Sequence, residues 1–200
     1  RYGVDTGKIV RGGDRVGIYF NEKGASQRPS ICTYDRAHSA ISEAKKEDFD
    51  WESIFNGAEW FHFTGITPAL SENVLAICRE ACQVAKKKGI KISCDVNYRS
   101  KLWTKEAARE AMTELSEYID LILINEEDAK TVFGIQADKT DVHSGKLNKE
   151  GYEEVAKKLM EQFRFSEVAI TLRESRSASD NDWSGLLYDG KECLFSKVYP

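Results

Sequence analysis

Residues 60–96 read WFHFTGITPALSENVLAICREACQVAKKKGIKISCDV, and the fold is decided inside that stretch. The opening WFHFT has the aromatic, pleat-fitting composition of a strand. Ser71 then caps a helix whose Val74, Leu75, Cys78, Ala81, Cys82 and Ala85 fall on one stripe. Lys86, Lys87 and Lys88 suit the negative end of the helix dipole, and Gly89 suits the position just past the last turn. Residues 90–96 follow as a second strand. A strand, a helix and a strand in this order form the crossover unit of a parallel sheet.

Downstream the pattern repeats. Thr104 opens a helix with Ala107, Ala108, Ala111, Met112 and Leu115 inward, and the continuously apolar residues 121–124 read as a strand buried on both faces. A short helix spans 126–133 before Gly134, a polar loop covers 136–148, a helix covers 149–163, and residues 168–172 form a fourth strand. Strands alternating with helices predict a doubly wound α/β domain, a parallel sheet with helices on both faces. Near the end, residues 186–188 and 193–197 flank Asp189-Gly190, a strong hairpin turn signal.

Upstream the periodicity changes. In residues 14–20, Val16, Ile18 and Phe20 alternate with Arg15, Gly17 and Tyr19; in residues 30–36, Cys32, Tyr34 and Arg36 share a face. Two alternating strands around the loop 21–29 predict an antiparallel lid over residues 14–36, set within an α/β core of residues 1–13 and 37–200. The chain opens in what reads as a flap and stops at Pro200 directly after a hairpin, so it is expected to be part of a longer protein.

Composition narrows the possible functions. The 200 residues are 41% hydrophobic and 31% charged, too apolar for disorder and ordinary for one soluble domain. No apolar run approaches the ~20 residues of a membrane helix. With 29 basic against 33 acidic residues, a net charge of -4 and no basic stripe, nucleic acid is excluded as a partner. Five cysteines, an odd count, and the lack of an export pattern at residues 1–4 point to a reduced, cytoplasmic setting. Cys78 and Cys82 lie on one helix face and read either as half of a metal or redox site or as two small core residues; zinc wants four ligands. His38, His62 and His143 are dispersed and show no ligand spacing, so no metal ligand is assigned.

Ligands of open parallel sheets bind beyond the carboxyl ends of the strands. Those ends here carry Gly65; Asp95 with Asn97, Tyr98 and Arg99; Asn125 with Glu126, Glu127 and Asp128; and Arg173, Glu174, Ser175 and Arg176. Arg99, Asn97 and Asn125 are equipment for holding anions. The other reading of Asn97, the lesser of the two, is a cap on the turn after its strand.

The segments FTGITPALS (63–71), KKKGIKISCDVNYRSKLW (86–103) and LILINEEDA (121–129) together resemble the PfkB, or ribokinase-like, family of sugar kinases. The combination of ICTYDR (31–36) with VNYRSKLW is closest to kinases of 2-keto-3-deoxygluconate; fructokinases share the R-x-x-L-W element. The resemblance implies ATP and Mg²⁺ as cofactors and phosphorylation of a hydroxyl of a sugar acid. It implies substrate contacts from Tyr19, Tyr34, Asp35 and Arg36 on the lid, with Arg99 between sugar and phosphates. Asn97, Tyr98, Asn125, Arg173, Ser175 and Arg176 would border the nucleotide, and Asp95 and Asp128 would be outer partners of Mg²⁺, a cation that keeps several waters. A carboxylate suits bidentate arginine, and tyrosine offers a flat face and a hydroxyl.

Two departures accompany the resemblance. The strand 168–172 should lead into a glycine-rich turn, yet LRESRSA (172–178) has Glu174 and Ser177 where glycines are usual. The family's G-x-G-D element, whose aspartate is the expected general base, is absent from residues 1–200 and would fall beyond Pro200. A fructokinase, another sugar kinase, or a non-catalytic sugar- or nucleotide-binding module are the other readings. An exposed lid would also favour a homo-oligomer assembled through it.

Overall fold

The computed structural model describes residues 2–25, 27–138, 149–176 and 180–200, with Ser175 described by its backbone alone. Strands β1 (Ile18–Glu22) and β2 (Ile31–Asp35) pair by themselves as an antiparallel hairpin, with Tyr19 opposite Tyr34. In the main sheet, β3 (Trp60–Thr64), β4 (Lys91–Asp95), β5 (Leu121–Ile124) and β6 (Glu167–Ser175) run parallel, and β7 (Asn181–Tyr188) and β8 (Cys193–Phe195) continue antiparallel. The helices are α1 (Trp51–Ile54), α2 (Glu72–Lys87), α3 (Lys105–Ser116), α4 (Glu126–Asp128) and α5 (Lys149–Gln162).

The mixed α/β class with a small separate β hairpin is the class that the sequence predicts. Its winding is simpler than expected. The six strands stand in sequence order, so every parallel crossover steps the same way, and right-handed crossovers then put their helices on one face. Stripes of α2, α3 and α5 meet Phe63, Ile92, Cys94, Ile122, Ile124, Val168 and Ile170 in one core. The opposite face carries Trp60, Leu121, Leu123, Ala169, Leu187 and Leu194, all at least partly exposed among the described residues.

Local chemistry explains the helices. The Ser71 hydroxyl accepts from Val74 N–H at 3.3 Å and Thr104 from Ala107 N–H at 3.2 Å, each satisfying a free amide of the first turn. In α2 the buried stripe takes Ile77 where Leu75 was expected, and Leu75 is only half-buried. Ala107, expected inward, is exposed because it lies one residue off the stripe of Ala108, Ala111, Met112 and Leu115. The expected 126–133 helix begins as α4 and passes into a π turn, Ala129–Phe133, closed by Gly134 at φ 72°.

Cys78 and Cys82 belong to the α2 core stripe, and burial pushes both thiols up to about 12. Cys94, beneath them on β4, is raised by the same cause. Thiolate is the reactive form. In the folded protein at pH 8, a water-soluble alkylating reagent is therefore expected to reach Cys32 well before these three, which mass spectrometry of the modified peptides would read out. Labelling of Cys78 or Cys82 as fast as Cys32 would contradict this burial.

Two strand expectations shift. The lid strand expected at 14–20 lies at Ile18–Glu22, because pairing with β2 starts at Ile18 opposite Asp35 and leaves residues 14–17 outside the ladder. The strand expected at 168–172 runs on to Ser175, because Arg173, Glu174 and Ser175 pair with Trp183, Asp182 and Asn181. Residues 172–175 thus belong to the β6–β7 ladder. Ser177 and His143 lie outside the described residues, as does the 136–148 loop from residue 139 on. The Asp189-Gly190 turn forms as expected: the Asp189 carboxylate accepts from the Lys191 and Glu192 amides at 2.8 and 2.9 Å.

Candidate active site

The carboxyl ends of β3, β4 and β5 are tied together tightly. Gly65 N–H donates to Asp95 C=O at 2.8 Å, and Val96 N–H to Leu123 C=O at 2.9 Å. A Cβ on Gly65 would stand 2.1 Å from Val96 O, so only glycine lets these two strand ends approach. Asn97 then takes φ 42°, a left-handed conformation that asparagine tolerates, and its Nδ2 donates to Thr64 Oγ1 at 3.2 Å. Its side chain therefore ties the turn to β3, as a turn residue would.

Asp128 is the centre of the next turn. Its Oδ2 accepts from Tyr98 N–H at 3.1 Å and from Asn125 Nδ2 at 3.2 Å. Asn125 caps α4 in return, its Oδ1 accepting from Asp128 N–H at 2.7 Å. Burial raises the carboxyl of Asp128 above its ordinary value; the Tyr98 amide and Arg99 oppose the shift, while Glu127 and Asp95 add to it. Asp95 is raised as well, again chiefly by burial, against the charges of His62 and Arg99 and a backbone bond from Asn97. Two inward carboxylates near one arginine form the acidic floor of the edge.

That charge has a stability consequence. A carboxyl raised in the fold contributes stability that is complete below the unfolded value of 3.8 and is lost as pH rises through the folded value. Both bonds to Asp128 land on one oxygen, so an amide can keep them. Asp128→Asn is expected to melt at or above the parent temperature at pH 7, with the difference shrinking toward pH 4; calorimetric melts across that range check it. A variant destabilised equally at every pH would mean that hydrogen bonding, not charge burial, governs the position.

Above this edge sits a cavity of about 630 Å³ between β2 and the turn 99–102, lined by Cys32, Tyr34, Arg36, Arg99, Lys101 and Leu102, among others. The Arg36 guanidinium lies 4.1 Å over the Tyr34 ring, within cation–π range, and Tyr19 stands beside Tyr34 with ring centroids 6.1 Å apart. A hydrogen bond with Cys32 is the main cause raising the Tyr34 hydroxyl, and the charges of Arg36 and Arg99 oppose it. Three cations and no carboxylate stand among the described lining residues. Such a cavity suits a small anion with an apolar face.

Of the residues picked from the sequence, Tyr34, Arg36 and Arg99 meet at this cavity, and Tyr19 is on the same side of the hairpin. Asn97, Tyr98 and Asn125 gather below it at the sheet edge. Asp35 does not join them: alternation turns it to the other face, where it pairs with Arg15 at 2.8 Å. Arg173 and Arg176 stand apart on the β6–β7 hairpin. Arg173 Nε donates to Asn181 Oδ1 at 2.8 Å, and Arg176 pairs with Asp182. The side chain of Ser175 lies outside the described residues. Sequence reasoning passed over Cys32 and Lys101 as cavity residues, although Cys32 stands two before Tyr34 on one strand face and Lys101 two after Arg99.

An α/β sheet edge roofed by a β hairpin, with a cationic cavity between them, defines a small-molecule-binding domain. The chain belongs to the pfkB family of carbohydrate kinases, whose family model matches residues 1–174. It is 36% identical over 124 residues to a 2-dehydro-3-deoxygalactonokinase of Haloferax volcanii, covering 62% of this chain and 39% of the relative. It is 31% identical over 138 residues to a 2-dehydro-3-deoxygluconokinase of Thermoproteus tenax, covering 67% and 41%. The crystal structure of a 2-dehydro-3-deoxygluconokinase from Thermotoga maritima matches with TM-score 0.92 and 51% identity, over 98% of this chain and 58% of that one. The chain thus spans about two-fifths to three-fifths of the length of these relatives.

Proposed function

We propose that the protein containing this chain is an ATP-dependent kinase of a 2-keto-3-deoxy sugar acid, with 2-keto-3-deoxygluconate as its substrate. The carrying observation is the cavity beneath the lid, where Arg36, Arg99 and Lys101 surround Tyr34 without a carboxylate among the described lining residues. A neutral sugar such as fructose or ribose gives three cations nothing to neutralise. A sugar acid does. The names of the relatives agree in this chemistry, since gluconate and galactonate forms of the acid carry the same carboxylate.

In this reading the lid is residues 14–36. Arg36 grips the carboxylate with its fork of donors, Tyr34 and Tyr19 cover the carbon chain, and Arg99 stands between the sugar and the transferring phosphoryl group. Phosphoryl transfer asks mainly for alignment and charge neutralisation. ATP with Mg²⁺ supplies the phosphoryl group and its leaving group. Asp95 and Asp128 fit a water-bound cation, because burial raises both carboxyls, the charge of Asp95 raises Asp128 further, and a divalent ion relieves both. Asn97, Tyr98 and Asn125 border that edge, and Arg173, Ser175 and Arg176 would meet the nucleotide from the separate β6–β7 hairpin, once Arg173 and Arg176 leave Asn181 and Asp182. In this reading the general base is the aspartate of a G-x-G-D element, which residues 1–200 do not contain.

Titration calorimetry on the full-length protein tests the substrate class directly. The keto-deoxy acid should bind at least about tenfold more tightly than fructose, the yield of one charge-assisted contact; equal binding would favour the fructokinase reading.

The outer face of the hairpin leaves Ile18, Phe20 and Ile31 exposed at 43%, 62% and 50%. An uncovered apolar strand pair favours association. We infer a homo-oligomer through the lid: the full-length protein should sediment as a dimer or larger at micromolar concentration, and Phe20→Asp should shift it toward monomer. A monomeric parent profile would contradict the inference. A cytoplasmic setting fits five free thiols, and among the described residues no helix is long and apolar enough to cross a membrane.

A further inference from the structure

We propose that Arg15, which lies outside the cavity, is the positioning residue that aims Arg36 into it; this rests on the reading that Arg36 holds the substrate carboxylate. The ladder between β1 and β2 ends at Ile18 opposite Asp35, one residue before Arg36. Arg36 is therefore the first residue past the sheet that faces the cavity, and strand pairing does not fix its backbone. Apart from one long turn bond, Ser39 N–H to Arg36 O at 3.3 Å, Arg15 does so instead. Its Nη1 donates to Ala37 O at 3.0 Å and to Asp35 Oδ1 at 2.9 Å, and its Nη2 donates to Asp35 O at 3.1 Å. The gripped carbonyls flank Arg36 on both sides. The Arg15 carbonyl, in turn, accepts from Ala40 N–H at 2.8 Å, which anchors the clamp to the chain leaving the lid.

Geometry, not charge, is the transmitted quantity. Asp35 on the outer face balances the guanidinium of Arg15 at 2.8 Å, so Arg15 adds little net field at the cavity. A planar fork reaches several acceptors in fixed directions, whereas an ammonium is a single point of charge on a flexible stem. Asp35, expected to touch substrate, then serves by orienting Arg15.

Steady-state kinetics of the full-length protein separate these roles. Arg15→Ala should raise KM for the keto-deoxy acid about tenfold while kcat and KM for ATP stay within about twofold, as for a ligand misplaced without loss of chemistry. Arg15→Lys should recover only part of the loss although it keeps the charge. Arg15→Ala in an Arg36→Ala background should cost little more than Arg36→Ala alone, because both act through one contact. Should Arg15→Ala fail to fold, Asp35→Asn weakens the same clamp from its other side and should raise KM in the same direction. Full recovery by lysine, additive effects of the two alanine variants, or equal losses in kcat and KM would overturn the proposal. If Arg36→Ala itself leaves KM unchanged, the carboxylate reading has failed and this inference fails with it; if Arg36→Ala raises KM and Arg15→Ala does not, only the positioning role fails.

Discussion

Arg36→Ala is expected to erase most of the preference for the keto-deoxy acid over fructose, lowering kcat/KM for the acid about fifty-fold with much less effect on the neutral sugar. The figure follows from losing a hydrogen-bonded charge contact in a partly desolvated site, about 2 to 3 kcal/mol, where each 1.4 kcal/mol is roughly tenfold. Arg36 is half-buried and stacked on Tyr34, so its side chain enters the site already restrained. That restraint reduces the entropy lost on gripping the carboxylate. The variant leaves Tyr34 and Arg99 in place, so the sugar should still bind, only less selectively. Competition between the two sugars in a coupled assay reads the ratio directly. An unchanged ratio would remove Arg36 from the carboxylate site.

Gly65→Ala carries the largest expected loss of stability. The added methyl would meet Val96 O at 2.1 Å and Val96 C at 3.0 Å, both backbone atoms of a strand terminus. No flexible side chain can yield there. Either Gly65 moves and breaks its 2.8 Å bond to Asp95 C=O, or β4 shifts and carries Asn97 with it. Overpacking against backbone costs about 3 kcal/mol or somewhat more, which for a chain of this size lowers the melting temperature by roughly 6 to 12 °C. Because the same strand ends hold Asp95 and Asn97, sugar and nucleotide affinity should both suffer in whatever fraction folds. A melting temperature within about 2 °C of the parent, the scale of about 1 kcal/mol or less, would show that the approach is slack.

These two residues differ in how visible they are in the sequence. Arg36 follows from alternation, since a strand reading of residues 30–36 puts Cys32, Tyr34 and Arg36 on one side, and the structure keeps them there. By the same rule Asp35 faces away, so naming it beside Arg36 followed the motif and not the pleat. The β3–α2–β4 unit was legible almost residue by residue because its signals are local: the Ser71 cap, the apolar stripe and the lysines before Gly89. Gly65 stands in that same stretch, yet its importance lies in a contact with Val96 thirty-one positions away, which no local pattern records.

Long-range pairing also explains β7. Residues 181–185, NDWSG, have the composition of a turn, and pairing with β6, joined by bonds from Tyr199 to Trp183 and from Ser196 to Gly185, draws them into the sheet. Arg173 and Arg176 then spend their donors on Asn181 and Asp182 along that hairpin. The π turn after α4 follows from packing: Ala129, Val132 and Phe133 are buried together, and Arg109 Nε donates to Val132 O at 2.9 Å. The one-sided placement of the helices was hidden for a similar reason, since alternation of strands and helices says nothing about the order in which strands pair. Asp128 was noticed as a candidate partner of a cation, but not as the acceptor that joins Tyr98 to Asn125.

The most direct test of the central claim is phosphoryl transfer by the full-length protein with ATP and Mg²⁺, comparing 2-keto-3-deoxygluconate, its galactonate epimer, fructose and ribose at equal concentrations. The account predicts ADP formation that depends on the sugar acid, with kcat/KM for the keto-deoxy acids exceeding that for either neutral sugar by at least about tenfold, the factor one charge-assisted contact supplies. Turnover of fructose or ribose as fast as the acids, or tight binding of the acids with no transfer, would contradict it.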